Sequence, residues 1–382
     1  MRAFYKKIQK NHKKYQFFTI FESLPRAFRR AFAPQTYPNA TNRNLLLKQL
    51  TNHPTPNLMA PSMHNNQNIN PPTSSKLVLL FLATRPNFLL ASALPILVGS
   101  ALAYATTSSF DTLRFCLALF AIICLHAGSN VANDYFDHLS KNDWLNKNPT
   151  PFSGGRRFIQ QNILSPKSTL LLALTLLTAG AIIGIFIVIL TQSLFIFALG
   201  LVGLLGGFFY TAPPIKLGYR AVGEFVIALL FGILPVFGAY FLQTKIIDTI
   251  PIFPALLVAI LIFLVILINE FPDSAADAAA NKKTLVVHLG LRKALWIYRI
   301  ALLTSYLLAA AAIPLYRLMF FPAILYIFTL PIAALALKAA NTKDLSTPGQ
   351  YRASKFTVLL HAASCLALTA GFLLYTLQSP VI

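Results

Sequence analysis

The chain has 382 residues, 56% of them hydrophobic and only 11% charged, and carries a formal net charge of +21. A soluble enzyme of this length would hold roughly a quarter charged residues, so the composition excludes an ordinary soluble protein and points to a multi-span helical membrane protein. So basic a chain often binds nucleic acid, but the apolar body directs the charge toward the lipid bilayer and phosphorylated substrates instead, and no nucleic-acid partner is expected.

In chain order, residues 1–76 read as a basic, disordered N-terminal extension and 77–382 as a transmembrane domain. Eleven Lys/Arg face Glu22 alone in the first 75 residues, which end in PNLMAPSMHNNQNINPPTSS, a run too polar to fold. Three readings of this segment are a transit peptide, a polybasic membrane anchor, and residues upstream of a start at Met59 or Met63. The last two are favoured, and no chemistry is assigned to it.

Nine apolar spans follow, at about 87–105, 113–132, 168–190, 194–212, 221–243, 250–269, 295–315, 319–340 and 355–377. Each approaches the ~20 residues that a helix needs to cross the hydrocarbon layer. Basic residues gather after the even-numbered spans: Lys141, Lys147, Arg156, Arg157 and Lys167, then Lys216 and Arg220, then Lys282, Lys283, Arg292 and Lys293, then Lys338, Lys343, Arg352 and Lys355. The positive-inside rule places those segments and the N-terminus in the cytoplasm of a protein of the cell's inner (plasma) membrane. Cys116, Cys124 and Cys365 lie in apolar runs without ligand spacing and read as packing residues.

Beyond residue 75 there are ten acidic residues, and six of them fall in two stretches: NDYFDHLSKND at 133–143 and NEFPDSAAD at 269–277. Both begin at the cytoplasmic end of an even span, and both place an Asp four residues after an Asn: Asn133 with Asp137, and Asn269 with Asp273. On a helix, that spacing puts both side chains on one face. Clustered carboxylates without His or Cys favour a hard cation, Mg²⁺ first. Mg²⁺ takes one or two protein carboxylates and completes its shell with water and substrate phosphate. Two facing Asp ridges therefore predict a clamp for a Mg²⁺-bound diphosphate, and the membrane setting predicts that it carries a hydrocarbon tail, as a polyprenyl diphosphate does. Arg156, Arg157, Lys216 and Lys282 are candidates to pair with diphosphate oxygens.

With these motifs, residues 77–382 resemble the UbiA-type intramembrane prenyltransferases. Asn133, Asp137 and Asp143 followed by NPTPFSGGRRFIQ at 148–160, Arg85-Pro86 before PILVGSALA, YTAPPIKLGYRAVGE at 210–224 and NKKTL at 281–285 are similar to the 1,4-dihydroxy-2-naphthoate polyprenyltransferases of menaquinone synthesis. The resemblance implies an all-α bundle of nine transmembrane helices with an Asp-rich cytoplasmic cap. It implies Mg²⁺ held by Asp137, Asp143, Asp273 and Asp277, ionisation of the prenyl diphosphate, and attack by an electron-rich aromatic acid that then loses CO₂. In that scheme Asn133 and Asn269 orient metal or substrate, Arg85 takes the acceptor carboxylate, and Tyr210 lines the pocket. Two positions depart from the family pattern: Ala278, where Arg often follows the second Asp motif, and Glu270, where a second Asn is frequent. 4-Hydroxybenzoate is the alternative acceptor. A secondary transporter is the alternative of another class, although its ion sites belong at mid-span rather than at the rim. His126 and His138 read as packing or loop residues.

Overall fold

The computed structural model describes residues 75–341, 345 and 351–378. The expected N-terminal extension lies outside the described residues except for its last two positions. Every regular element described is helical, with one isolated bridge between Thr150 and Ser153.

Short α1 (Lys76–Ala83) leads into α2 (Pro86–Thr107) and α3 (Thr112–Leu139), and a single turn α4 (Asn142–Leu145) follows. Next come α5 (Pro166–Thr191), α6 (Leu194–Phe208), α7 (Gly223–Thr244), α8 (Ile252–Glu270), α9 (Ser274–Ala279), α10 (Leu285–Leu289) and α11 (Leu291–Leu315). The chain ends in α12 (Phe320–Ile327), α13 (Leu330–Ala339) and α14 (Arg352–Gln378). Side-chain oxygens of Ser75, Asp111, Ser165, Ser193 and Thr284 each accept from the backbone N–H three residues on, fixing where α1, α3, α5, α6 and α10 begin.

Seven of these helices are long and apolar enough to span a membrane: α2, α3, α5, α7, α8, α11 and α14. An eighth crossing is broken: Arg317–Ile327 and Leu330–Ala339 meet at a 48° bend, with Pro331 in the first turn of α13. The segment expected at 194–212 is a helix of only 15 residues, because the chain leaves helical geometry ahead of Pro213-Pro214. The protein is thus an all-helical multi-pass membrane protein with seven such helices among the described residues, or eight counting the bent pair, and one shorter apolar helix.

The bundle has large apolar side chains facing outward, such as Leu171, Ile182 and Ile189 on α5 and Ile300, Leu303 and Leu307 on α11. Small and hydroxylated residues lie inside, where Tyr298 and Thr357 share a 2.7 Å hydrogen bond. That is the distribution expected where lipid, not water, surrounds the helices. Helix α8 is the central pillar, burying Leu257, Leu261, Leu264, Leu267 and Ile268 against α7, α11 and α14. In α7, Pro235 has no N–H to donate to the preceding turn, and a π-helical turn at Leu229–Ile233 absorbs the defect.

Helix α14 crosses α12 so closely that a Cβ added at Gly371 would overlap the Pro322 backbone. Gly371→Val is therefore expected to destabilise the detergent-solubilised protein by about 1–3 kcal/mol, as overpacking does. A melting temperature equal to that of the parent would show that this crossing can yield.

Candidate active site

The C-terminal ends of α3 and α8 meet at one side of the bundle. Helix α3 runs unbroken through NDYFD, so the spacing of Asn133 and Asp137 becomes a direct contact: Asn133 Nδ2 donates to Asp137 Oδ2 at 3.1 Å. The second stretch is built differently. Helix α8 stops at Glu270 and α9 starts at Ser274, leaving Asp273 at the junction rather than on a continuous ridge. Pro272 accounts for the break, since it lacks an N–H and its ring crowds the carbonyl one turn back.

The two stretches are tied together through asparagines. Asn142 Nδ2 donates to Asp277 Oδ1 and Asn146 Nδ2 to Asp273 Oδ1, both at 2.8 Å. The backbone N–H of Gly154 donates to Asp273 Oδ2 at 2.9 Å. Lys282 reaches back across the same gap, with Nζ 3.2 Å from Asp137 Oδ2 and 3.8 Å from Asp277 Oδ1. Tyr219 donates its hydroxyl to Asp137 Oδ1 at 2.8 Å. On the other flank, Arg85 pairs with Asp134 and donates to Asn133 Oδ1 at 3.0 Å. Gly155 lies against the carboxylates of Asp134 and Asp143 with φ of 69°, so any side chain there would be strained as well as crowded.

These groups surround a chamber of about 180 Å³. Among the sequence candidates, Arg85, Asn133, Asp137, Asp143, Tyr210, Asn269, Asp273, Asp277 and Lys282 line it. Arg156, Arg157 and Lys216 do not. Arg156 Nε donates to Leu82 O at 3.0 Å, Arg157 Nη1 donates to Asn146 O at 2.9 Å, and Lys216 Nζ sits 5.0 Å above the Tyr219 ring. Phe88, Phe152 and Phe231 also line the chamber. A second cavity of about 310 Å³, almost wholly apolar, lies between α2, α3, α5, α6 and α7, and both cavities are lined by His126, Ser129, Gly207 and Phe231.

The UbiA prenyltransferase family profile matches residues 92–361. The chain belongs to the UbiA prenyltransferase family. It is 32% identical over 267 residues to a 1,4-dihydroxy-2-naphthoate octaprenyltransferase of Haemophilus influenzae, covering 68% of this chain and 85% of the relative. It is also 32% identical to UbiA prenyltransferase domain-containing protein 1 of Dictyostelium discoideum, over 70% of this chain and 79% of that protein. The fold resembles that of a UbiA homolog from Archaeoglobus fulgidus solved bound to GPP and Mg²⁺, with a TM-score of 0.54, 18% identity, and coverage of 76% of this chain and 99% of that one. Family membership makes the protein an enzyme and removes the transporter alternative.

Among the described residues, no three His, Cys, Asp or Glu side chains stand together as a ready-made metal shell. The chemistry of the UbiA chamber nevertheless fits a hard cation. Its donors are oxygens, and Asn269 Oδ1, buried in the lining, has no hydrogen-bond partner among the described residues. Burial, with the charges of Asp137 and Asp134, pushes the Asp143 carboxyl up to about 8. Burial, with the charge of Asp277, pushes Asp273 up to about 7. Burial alone would lower Lys282, but Asp137 and Asp277 outweigh it and hold the ammonium well above its ordinary value. Two carboxyls that keep their protons near neutrality are sites where a divalent cation can take the protons' place.

Sequence reasoning passed over Asp134, Asn142, Asn146 and Tyr219. Asp134 stood in the same acidic run as Asp137, and Asn142 immediately precedes Asp143. Tyr219 lies in the YTAPPIKLGYRAVGE stretch, but nothing in one sequence places it 2.8 Å from Asp137.

Because the folded values of Asp143 and Asp273 lie above the ordinary 3.8, the folded state keeps protons that the unfolded chain releases. Stability present at acid pH is therefore lost as the pH rises from about 4 toward about 8. Melting curves of metal-free protein in detergent should show this fall, with Mg²⁺ restoring the melting temperature at the alkaline end. A melting temperature that climbs across that range without metal would contradict the assignment.

Proposed function

We propose that this enzyme transfers a polyprenyl group from polyprenyl diphosphate to 1,4-dihydroxy-2-naphthoate, with loss of the acceptor's carboxylate as CO₂, giving the quinol form of demethylmenaquinone. The observation that carries the reading is that the carboxylate-lined chamber lies beside an apolar cavity, the two sharing His126, Ser129, Gly207 and Phe231 in their linings. A substrate with a charged head and a long hydrocarbon tail needs both compartments, side by side. The choice of acceptor is supported by the named relatives and by the NPTPFSGGRRFIQ stretch, which forms one wall of the chamber through Phe152, Ser153, Gly154 and Gly155.

Asp137, Asp143, Asp273 and Asp277 are the residues to hold Mg²⁺. When bound, Mg²⁺ supplies positive charge to the departing diphosphate. Lys282, already poised between Asp137 and Asp277, adds a fixed cation on the same side. Asn133 orients Asp137. Arg85 lines the chamber with Nε unpartnered among the described residues, and its planar fork suits the acceptor carboxylate while Asp134 holds it from behind. Phe88, Phe152 and Phe231 line the chamber where allylic positive charge would develop, and aromatic rings attract cations. Arg156 and Arg157 act by anchoring the 146–157 loop to Leu82 O and Asn146 O, and Lys216 by covering Tyr219.

In this reading the membrane carries nine spans, made of the seven long helices, the bent pair and α6. The chamber faces the cytoplasm of a plasma-membrane enzyme, on the side where basic loop residues gather. Water-soluble diphosphate then leaves to the aqueous side while the prenylated product stays in the bilayer.

The test offers purified protein a polyprenyl diphosphate with 1,4-dihydroxy-2-naphthoate and with 4-hydroxybenzoate in parallel, and identifies products by mass. Prenylated, decarboxylated naphthol is expected, with turnover abolished by EDTA and reduced ~10²-fold or more in Asp137→Ala and Asp273→Ala, as for loss of transition-state charge stabilisation. Product from 4-hydroxybenzoate alone would overturn the acceptor, and full activity in either Asp variant would overturn the site.

A further inference from the structure

The chamber wall contains an apolar group of residues that neither the diphosphate nor the prenyl tail uses. Phe88 and Ala91 on α2, with Ile262, Val265 and Ile266 on α8, line the chamber and are absent from the lining of the larger apolar cavity. The two helices pack against each other and grade in the same direction. Arg85 immediately precedes α2, and Phe88 and Ala91 follow on one face of it, about 4.5 Å apart along the axis. On α8, Ile262, Val265, Ile266 and Asn269 recur at three- and four-residue steps, with Asn269 near the helix end. Both faces therefore lead from a polar rim into an apolar slot. Phe152 closes over the rim from the loop after α4. Its ring is edge-on to Phe88 at 6.2 Å between centroids and tilted against Tyr351 at 5.9 Å.

The slot suits the body of an aromatic acid whose carboxylate is held by Arg85. In a decarboxylative transfer the electron pair of the C–CO₂ bond restores the ring, so the carbon that gains the prenyl group is the one that loses the carboxylate. That carbon sits at Arg85, which contacts Asn133 and Asp134 of the first acidic stretch. The remainder of the acceptor then extends away from the diphosphate, past Phe88 and toward Ala91. A single ring reaches Phe88. A second ring, fused on the side away from the carboxylate, reaches the level of Ala91, where the side chain is only a methyl group. We propose that Ala91, opposite the Ile262–Ile266 face of α8, is the specificity-determining residue that admits fused two-ring aromatic acids to the acceptor subsite. A longer side chain at this position fills the space of the second ring and leaves that of the first. The inference rests on the assignment of Arg85 to the acceptor carboxylate, but not on which two-ring acid is the natural one.

The matched probes are 1,4-dihydroxy-2-naphthoate and 2,5-dihydroxybenzoate, which carry the same carboxylate and hydroxyls and differ by the fused ring alone. Their equilibrium binding to the purified full chain is measured by calorimetry, with the melting temperature of each variant recorded alongside. The parent should bind the naphthoate about 10–100-fold more tightly, the range over which an apolar pocket resolves added carbon. Ala91→Leu should erase that preference by weakening the naphthoate, while the benzoate stays within a few-fold of its parent value. Ala91→Gly keeps the space and should keep the preference. Arg85→Gln should weaken both acids to a similar degree, because both present the same carboxylate.

An unchanged preference in Ala91→Leu would overturn the proposal. Equal weakening of the two acids in that variant would also overturn it, since a general distortion of the chamber produces that pattern. If Ala91→Leu does not fold, Ala91→Val carries the same comparison with a smaller loss. Binding is read here without prenyl transfer, so the proposed function fails separately, through turnover of 4-hydroxybenzoate alone. The two-ring subsite is then still decided by the binding ratio and its response to Ala91→Leu.

Discussion

The constraint on which the site depends is the burial of too many carboxylates in one small volume. Asp134, Asp137, Asp143 and Asp277 are each less than a tenth exposed, at the rim of a chain whose body is apolar. Charges so placed are costly unless paired or protonated, and the structure uses both remedies. Arg85 neutralises Asp134, Lys282 stands between Asp137 and Asp277, and Asp143 and Asp273 keep their protons near neutrality. The surrounding architecture follows from this need. Asn142 and Asn146 bring the loop after α3 onto α9 and the α8–α9 junction, and Gly154 and Gly155 let the backbone pass close enough to touch Asp273 and Asp143. The result is a compact group of buried carboxylates held by one lysine, one arginine and two asparagines.

The apolar side of the site is shaped by residues that are small. Gly184, Gly200 and Gly203 border the larger cavity, and a Cβ on any of them would meet nothing within 4 Å. The volume exists because α5, α6 and α7 do not fill it. His126 lines both cavities, held by a 3.0 Å contact with Ser92 Oγ and tilted against the Phe231 ring at 4.4 Å between centroids. It packs, as its lone position in the sequence suggests, and it does so where the two cavities share lining residues.

Much of this was legible in one sequence, because its signals are strong where chemistry is concentrated. Six acidic residues in two short stretches of an acid-poor chain marked the chamber, and the four-residue spacing of Asn133 and Asp137 became a hydrogen bond on α3. The same spacing in Asn269 and Asp273 did not, because Pro272 ends the helix between them. Hydropathy located the apolar segments but not their form, since nothing in mean hydropathy distinguishes a straight span from one bent at Pro331 or cut short before Pro213. The basic residues were the least readable. Proximity in sequence grouped Arg156, Arg157, Lys216 and Lys282 alike, and only the fold separates Lys282, inside the chamber, from three cations that brace its loops. Asn142, Asn146 and Tyr219 carried no signal, because their importance lies in contacts between segments about 80–135 residues apart.

The central claim is that two distant acidic stretches make one Mg²⁺-diphosphate site. Calorimetric binding of a non-hydrolysable prenyl thiolodiphosphate to the purified protein tests it most directly, in the presence and absence of Mg²⁺ and in Asp143→Asn and Asp277→Asn singly. The account predicts binding only with Mg²⁺, and its loss when either stretch is altered alone. Undiminished binding in EDTA, or a site that survives the loss of one stretch, would contradict it.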